Sequence, residues 1–357
     1  MTLIKVKSRG TDNVSGRRNL LVNGGMLVDQ RQATLQFSAS SGYPCDRYYV
    51  GSNDIGTFQY TQSTDAPAGF GNSLKIQCTT ADTSLAAGSY NYIMHKLEGN
   101  ALQSMNSTNG IVEHTISFYA KSSKTGVYTV NIRDEDNGQG NSKTFTVSSA
   151  NTWERYTLTF PAHSSGNLDN DNLSSYRIYW WFASGSTQTS GTFYNGTWGA
   201  HTNANRVSSS NANLGDSTSN NFYITGVQME VGDSASDFEH RSFGEELALC
   251  ERYFYTTYPY GGTIGAASGS SFLGRFIDDS QSYASIQVPN VNMRAAPTRV
   301  IYNTSTGTAG SLRSDSANHS AAITGTGQKG GGWIYANNSS IGTSVSCKAH
   351  LTMDAEL

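Results

Sequence analysis

The sequence predicts an all-β protein of two jelly-roll-like β-sandwich domains joined by a short helix, with an extended N-terminal arm. Three observations carry that expectation. Charged residues make up only 14% of the chain and Gly 37 of its 357 positions, while Ser, Thr, Asn and Tyr recur throughout; a helical protein would carry more Glu, Lys, Leu and Ala. Short runs in which apolar and polar residues alternate return at fairly regular spacing, divided by Gly, Asn and Asp clusters such as DEDNGQGN. One stretch, Phe222 to Tyr255, breaks that rhythm by ending a strand and starting a helix, after which the β pattern resumes. The predicted division is an arm over 1–18, a jelly-roll sandwich over 19–242, a connecting helix over 243–255 and a smaller sandwich over 256–357.

The arm holds Lys5, Lys7, Arg9, Arg17 and Arg18 against one acid, Asp12, with few apolar residues after Val6, so it cannot fold by itself. It reads either as a frayed tail or as a peptide that becomes ordered on an acidic partner surface. From Asn19 the pattern changes to NLLVNGGMLVDQR, where Leu20, Val22, Met26 and Val28 flank an Asn23-Gly24 turn signal and a strand pair is expected. SGYPCDRYYV then supplies a Pro-containing turn and an aromatic strand start at Tyr48 and Tyr49. Alternation points Leu74, Ile76 and Cys78 inward, then Val112, Ile116, Phe118 and Ala120. It does the same for Tyr128, Val130 and Ile132, and for Tyr156, Leu158 and Phe160. Trp153 reads as a core anchor.

The strand YRIYWWFA, residues 176–183, is aromatic on both faces: Tyr176, Ile178, Trp180 and Phe182 on one, Arg177, Tyr179 and Trp181 on the other. A sheet that faced water would not need Tyr179 and Trp181. That second face is therefore covered by a loop, meets another subunit, or presents a platform for sugar rings. Residues 183–221 contain almost only Ser, Thr, Asn, Gly and Ala, with Phe193, Tyr194 and Trp198 as large exceptions, and read as a long loop excursion. Arg177, Tyr179, Trp181 and Trp198 are the candidate residues for a glycan or an interface; Trp198 is equally suited to plug a sandwich end.

Within the central stretch, Val227, Met229 and Val231 alternate with polar residues until Gly232, Asp233 and Ser234 break the strand. Ser242 is placed to cap a helix over Gly244 to Arg252, with Glu245 and Glu246 in its first turn. So short a helix must dock its Leu247, Leu249 and Cys250 side on something folded. Beyond it, Val345, Cys347, Ala349, Leu351, Met353 and Ala355 alternate without a fault, which ties the end of the sequence into a sheet.

A net charge of -3 and a pI near 6.2 give no global footprint for nucleic acid, and no apolar run is long enough to span a membrane. Cys45, Cys78, Cys250 and Cys347 are never in a CxxC spacing and read as reduced core residues, with a Cys45–Cys78 bond as the alternative. The seven histidines show no HxxxH or HxH spacing, so zinc is unsupported, and no other cofactor is expected. Asp134, Glu135, Asp136 and Asn137, followed by Gly138, form an oxygen-rich cluster open to a hard cation such as calcium, but without EF-hand spacing; a solvated hairpin turn is the default. No G-x-S-x-G elbow is present, and the protein is expected not to be an enzyme.

Three passages together resemble structural proteins of tailed bacteriophages, in particular those of marine and cyanobacterial phages: MTLIKVKSRGTDNVSGRRNLLVNGGMLVDQR, then ITGVQMEVGDSASDFEHRSFGEELALCERYFY, then SIQVPNVNMRAAPT with HLTMDAEL. They bracket nearly the whole chain, and the middle one is the most specific. NTWERYTLTFPA is similar to a strand of carbohydrate-binding jelly rolls. The resemblance implies a virion protein of tail-fibre type, homotrimeric, with other virion proteins as partners and residues 1–18 as the docking arm. A glycan-binding adhesin for host surface polysaccharide is the alternative, and a polysaccharide depolymerase a third. Because jelly rolls serve many purposes, the resemblance implies no particular ligand site.

Overall fold

The computed structural model describes residues 17–32, 34–268, 272–276, 283–286, 291–314, 317–324, 333–336 and 346–357. Lys5, Lys7 and Arg9 of the expected docking arm lie outside them. Arg17 and Arg18 are exposed, and Arg18 Nη1 donates to Ser236 Oγ over 3.1 Å.

Two antiparallel sheets form the first sandwich. The six-stranded sheet runs Leu35–Phe37, Thr57–Ser63, Ser73–Thr80, Asn221–Val231, His114–Ser122, Glu154–Phe160. The seven-stranded sheet runs Gly199–Ala200, Gln139–Val147, Gly126–Asp134, Ser174–Ser184, Tyr90–Glu98, Tyr48–Asn53, Ser40–Cys45. Inward residues predicted by alternation meet between them: Ile76, Phe118, Tyr128, Ile132, Phe160 and Trp180 are all fully buried, as is Phe222, whereas Val231, expected on the same face as Val227 and Met229, is exposed at the strand's end. Phe118 of one sheet meets Trp180 of the other edge-on at 5.9 Å, and Phe222 meets Phe182 at 4.9 Å, the tilted aromatic geometry that rings favour. All four cysteines are buried and free.

Trp153 is not a core anchor. It stands one residue before an edge strand and lies half-buried on the sandwich exterior, donating from Nε1 to Asp65 Oδ1 over 3.2 Å with the Lys121 ammonium 5.3 Å from its ring. The expected strand pair around Asn23-Gly24 is also absent. Asn23 and Met26 both adopt positive φ, 59° and 53°, which folds the chain back within three residues. Asn23 Nδ2 then donates to the Val28 and Asp46 carbonyls at 2.8 and 3.0 Å. Gly24 comes so close to the neighbouring strand that a Cβ there would lie 2.0 Å from the Val227 oxygen, so no other residue fits.

The helix spans Phe243–Glu251 and opens on a capping box between Ser242 and Glu245. Its buried side is Glu246 and Cys250, while Leu247 and Leu249 are only half-buried. A carboxylate displaces the leucines from the inner side because the turn beneath offers it donors: Glu246 Oε1 accepts from Asn23 N at 2.5 Å and faces Arg241 Nη1 at 3.4 Å.

Among the described residues the C-terminal unit is one eight-stranded sheet built around the strand Ser346–Asp354, which pairs with Phe272–Phe276 and with Ser311–Ser314 and so closes the sheet on itself. Cys347, Leu351 and Met353 lie in its core with Ile301, Leu312 and Ile334. Its last residues dock on the first sandwich through charge. Arg47 stacks 3.4 Å from the Tyr253 ring and pairs through Nη1 with Glu356, while its Nη2 donates to the Lys96 carbonyl at 2.6 Å. Arg31 reaches Asp354 at 3.3 Å and Glu356 at 3.5 Å, and Gln30 Nε2 donates to the Phe254 carbonyl at 2.6 Å.

Candidate functional site

The outer face of the seven-stranded sheet is where the sequence placed its candidates, and register settles which side chains share it. Across the strands Tyr48–Asn53, Tyr90–Glu98 and Ser174–Ser184, Tyr49 stands opposite Met94 and Met94 opposite Tyr179; Gly51 stands opposite Tyr92 and Tyr92 opposite Trp181. Residues directly opposite in a ladder point to the same side. Tyr43, Tyr49, Tyr90, Tyr92, Lys96 and Arg177 are therefore neighbours of Tyr179 and Trp181.

Tyr179 and Trp181 are not exposed: they retain 4% and 1% of their surface. The excursion over residues 183–221 folds back across them, setting the Arg206 guanidinium 4.4 Å from the Tyr179 ring and 4.8 Å from the Trp181 ring, with Val207 packed beside them. Neither is available to a sugar ring or a second subunit. Of the alternatives for this face, loop cover is the one realised at that half. Trp198 donates from Nε1 to the Pro161 carbonyl at 2.6 Å and packs on His163 at 4.4 Å, so it plugs the end of the sandwich. Of the four expected residues, Tyr179 and Trp181 are buried, Trp198 is half-buried at the sandwich end, and Arg177 stays about a third exposed at 30%.

The half that the excursion leaves open carries tyrosines. Tyr90 and Tyr92 stack with centroids 5.4 Å apart and planes 20° from parallel, and Tyr92 leans on Tyr179 and Trp181 at 5.2 and 5.0 Å. Tyr49 meets Tyr43 at 5.3 Å, and the Lys96 ammonium lies 5.0 Å from the Tyr49 ring. All four tyrosines are half-buried, each presenting part of a ring. Gly51 makes room for this: a Cβ there would lie 2.5 Å from Tyr92 Cζ, so the missing side chain is the space the tyrosine ring fills. Sequence reasoning missed Tyr90 and Tyr92, although Tyr90, Tyr92, Met94 and Lys96 alternate along SYNYIMHK as plainly as any strand chosen.

Charge gathers at one end of the face. Arg133 Nε and Arg177 Nε share Glu135 Oε1, at 3.0 and 3.1 Å. Burial first, and then the Arg177 charge, hold the Lys96 ammonium down to about 8, and burial with Arg133 and Arg206 lowers His201 to about 4.

The acidic hairpin expected as turn or cation site is a turn. Asp134 accepts from Asn137 N and Nδ2 at 3.0 and 2.8 Å and faces His163 Nε2 at 3.0 Å. Among the described residues no three His, Cys, Asp or Glu side chains are grouped to hold a metal ion. A separate cavity of about 440 Å³ at the junction is lined by Arg31, Phe254, Val300, Tyr302 and Asp354, but its two charges pair with each other at 3.3 Å.

The chain matches no protein-family model and no curated protein. Among solved structures it is similar to the enzymatically active domain of tailspike protein 4 of bacteriophage CBA120, at 14% identity over 60% of this chain and 22% of that one, with a TM-score of 0.30. It is similar to a family 61 carbohydrate-binding module in complex with β-1,4-galactotriose, at 8% identity over 60% of this chain and all (100%) of that one, TM-score 0.28. It is also similar to the family 11 module of Clostridium thermocellum in complex with a mixed-linked tetrasaccharide, at 13% identity over 58% and 99%, TM-score 0.28. The chain thus spans about a fifth of the tailspike structure, and at these scores the likenesses carry no argument about function.

Proposed function

We propose that the protein is a non-enzymatic, glycan-binding protein of tail-fibre type, which holds host surface polysaccharide on the tyrosine face of its first sandwich. The observation that carries this reading is the open group of Tyr49, Tyr90 and Tyr92 on a rigid sheet, with Lys96 and Arg177 beside it. Flat rings fixed by strands supply the apolar contact that pyranose faces require, and the flanking cations supply donors for hydroxyl oxygens. The virion setting, assembly as a homotrimer and docking through the arm belong to the same reading and rest on the sequence resemblance.

Titration of the full chain against a panel of soluble bacterial surface polysaccharides tests it. Saturable binding to at least one polymer is expected, weakened about fivefold or more by Tyr92→Ala, which removes a ring contact of about 1–3 kcal/mol. No reducing ends should appear on prolonged incubation. Their release would make the protein a depolymerase, and a panel without any binding would remove the glycan reading.

A further inference from the structure

We infer that the tyrosine face takes an acidic saccharide, one whose rings carry carboxylate or sulfate groups. This names the class of glycan and rests on the reading above. The argument starts from sheet register. Lys96 stands directly opposite Arg177, and Arg177 directly opposite Arg133, so three cations form one row across three neighbouring strands on a single face. Like charges directly opposite one another in a sheet are destabilising. Glu135 offsets only part of this, since one carboxylate oxygen serves both guanidiniums.

A fourth cation is delivered from elsewhere in the chain. The excursion brings Arg206 over the adjoining row, where its Nε donates to Asn131 Oδ1 at 3.0 Å, and Asn131 stands opposite Tyr179. Lys96 Nζ reaches the Leu357 carbonyl. Four cations thus lie along this face, with Glu135 shared by Arg133 and Arg177 and the Glu356 carboxylate acting on Lys96, on a protein whose net charge is -3, which is why whole-chain charge gave no sign of an anionic ligand. The shared environment registers in its neighbours, with His201 lowered by Arg133 and Arg206 after burial. Lys96 and Tyr92 are four residues apart on one strand, about 13 Å, so an oligosaccharide spans both the rings and the cations where a monosaccharide does not. Arg presents a planar fork matched to carboxylate and sulfate oxygens, and it is less strongly hydrated than an ammonium.

The full chain is titrated at low salt with polygalacturonate, with chondroitin sulfate and with polygalacturonate whose carboxyl groups have been reduced to alcohols. We expect at least one acidic polymer to bind tenfold or more tightly than the reduced polymer, with affinity falling as NaCl is added; the two acidic polymers separate carboxylate from sulfate. Arg177→Gln should bring the acidic-over-reduced preference towards one, and Arg133→Gln, in the same row, serves if the first variant melts early. Equal binding of acidic and reduced polymers, lost in Tyr92→Ala, overturns the acidic class and leaves the glycan reading standing. Acidic binding that survives Tyr92→Ala is ion exchange on a basic patch and overturns it as well. Binding to none of these while a neutral polysaccharide is held also overturns it, and binding to no saccharide at all removes both readings.

Discussion

Arg47→Ala is expected to lower stability by about 3 kcal/mol or more and to release the C-terminal unit from the first sandwich. Arg47 is 2% exposed, and its guanidinium does three things together: it pairs with Glu356, stacks on Tyr253 and donates to the Lys96 carbonyl. Removing one member of a buried ion pair typically costs about 3–5 kcal/mol, because the partner charge is left without compensation. Here Arg31, 3.5 Å from Glu356, retains part of that compensation and sets the expectation at the lower end. Thermal denaturation with limited proteolysis reads the result: an earlier transition and new cleavage around Phe254. A variant as stable and as resistant as the wild type would mean that the charged junction does not hold the two units together.

Asp29→Asn should reshape the pH dependence of stability. Burial, and then the nearby Asp46, push the Asp29 carboxyl up to about 7 from an ordinary value of 3.8. Between those two values the folded chain keeps a proton that the unfolded chain has released. The stabilisation is therefore complete below about 3.8 and is lost as pH rises through 7. From pH 5 to pH 8 this amounts to roughly 2–3 kcal/mol, at 1.36 kcal/mol for each unit. Asparagine keeps the acceptor for Gln32 N, at 2.9 Å, and removes the titration. His95 and His114, held down to about 3 and 4 by burial, act in the opposite sense, losing stability as pH falls below 6.5. They are common to both proteins and cancel in the difference. Urea unfolding at pH 5 and pH 8 should show the wild type losing ground to Asp29→Asn at the higher pH; parallel profiles would contradict it.

Which residues face inward was legible in the sequence, and which surface remains open was not. Alternation alone identified Phe118, Tyr128, Ile132 and Trp180 as core, because a two-sided strand has only two choices and apolar residues take the dry one. It also flagged Tyr179 and Trp181 as an oddity of the second face. Alternation names faces, however, and does not say what lies over them. That depended on residues 183–221, whose composition gives no periodicity and whose covering residues, Arg206 and Val207, sit between runs of Ser and Asn.

The passages that carried the phage resemblance proved to be architecture. Asn19, Asn23 and Gln30 from the first passage bind Val227, Glu239, Glu246 and Phe254 from the middle one, so both serve the joint between sandwich and C-terminal unit. The tyrosine face lies in a spacer between them. Trp153 was misplaced because a residue just before an edge strand is not bound by that strand's alternation.

The central claim is that the open tyrosines of the seven-stranded sheet are where polysaccharide is held. Tyrosine nitration followed by peptide mass mapping, with and without a saturating bound polysaccharide, tests that placement directly. The account predicts protection of Tyr49, Tyr90 and Tyr92, with Tyr223 on the opposite sheet nitrated equally in both states. Protection confined to Tyr223, or no change at Tyr90 and Tyr92 under saturation, would contradict it.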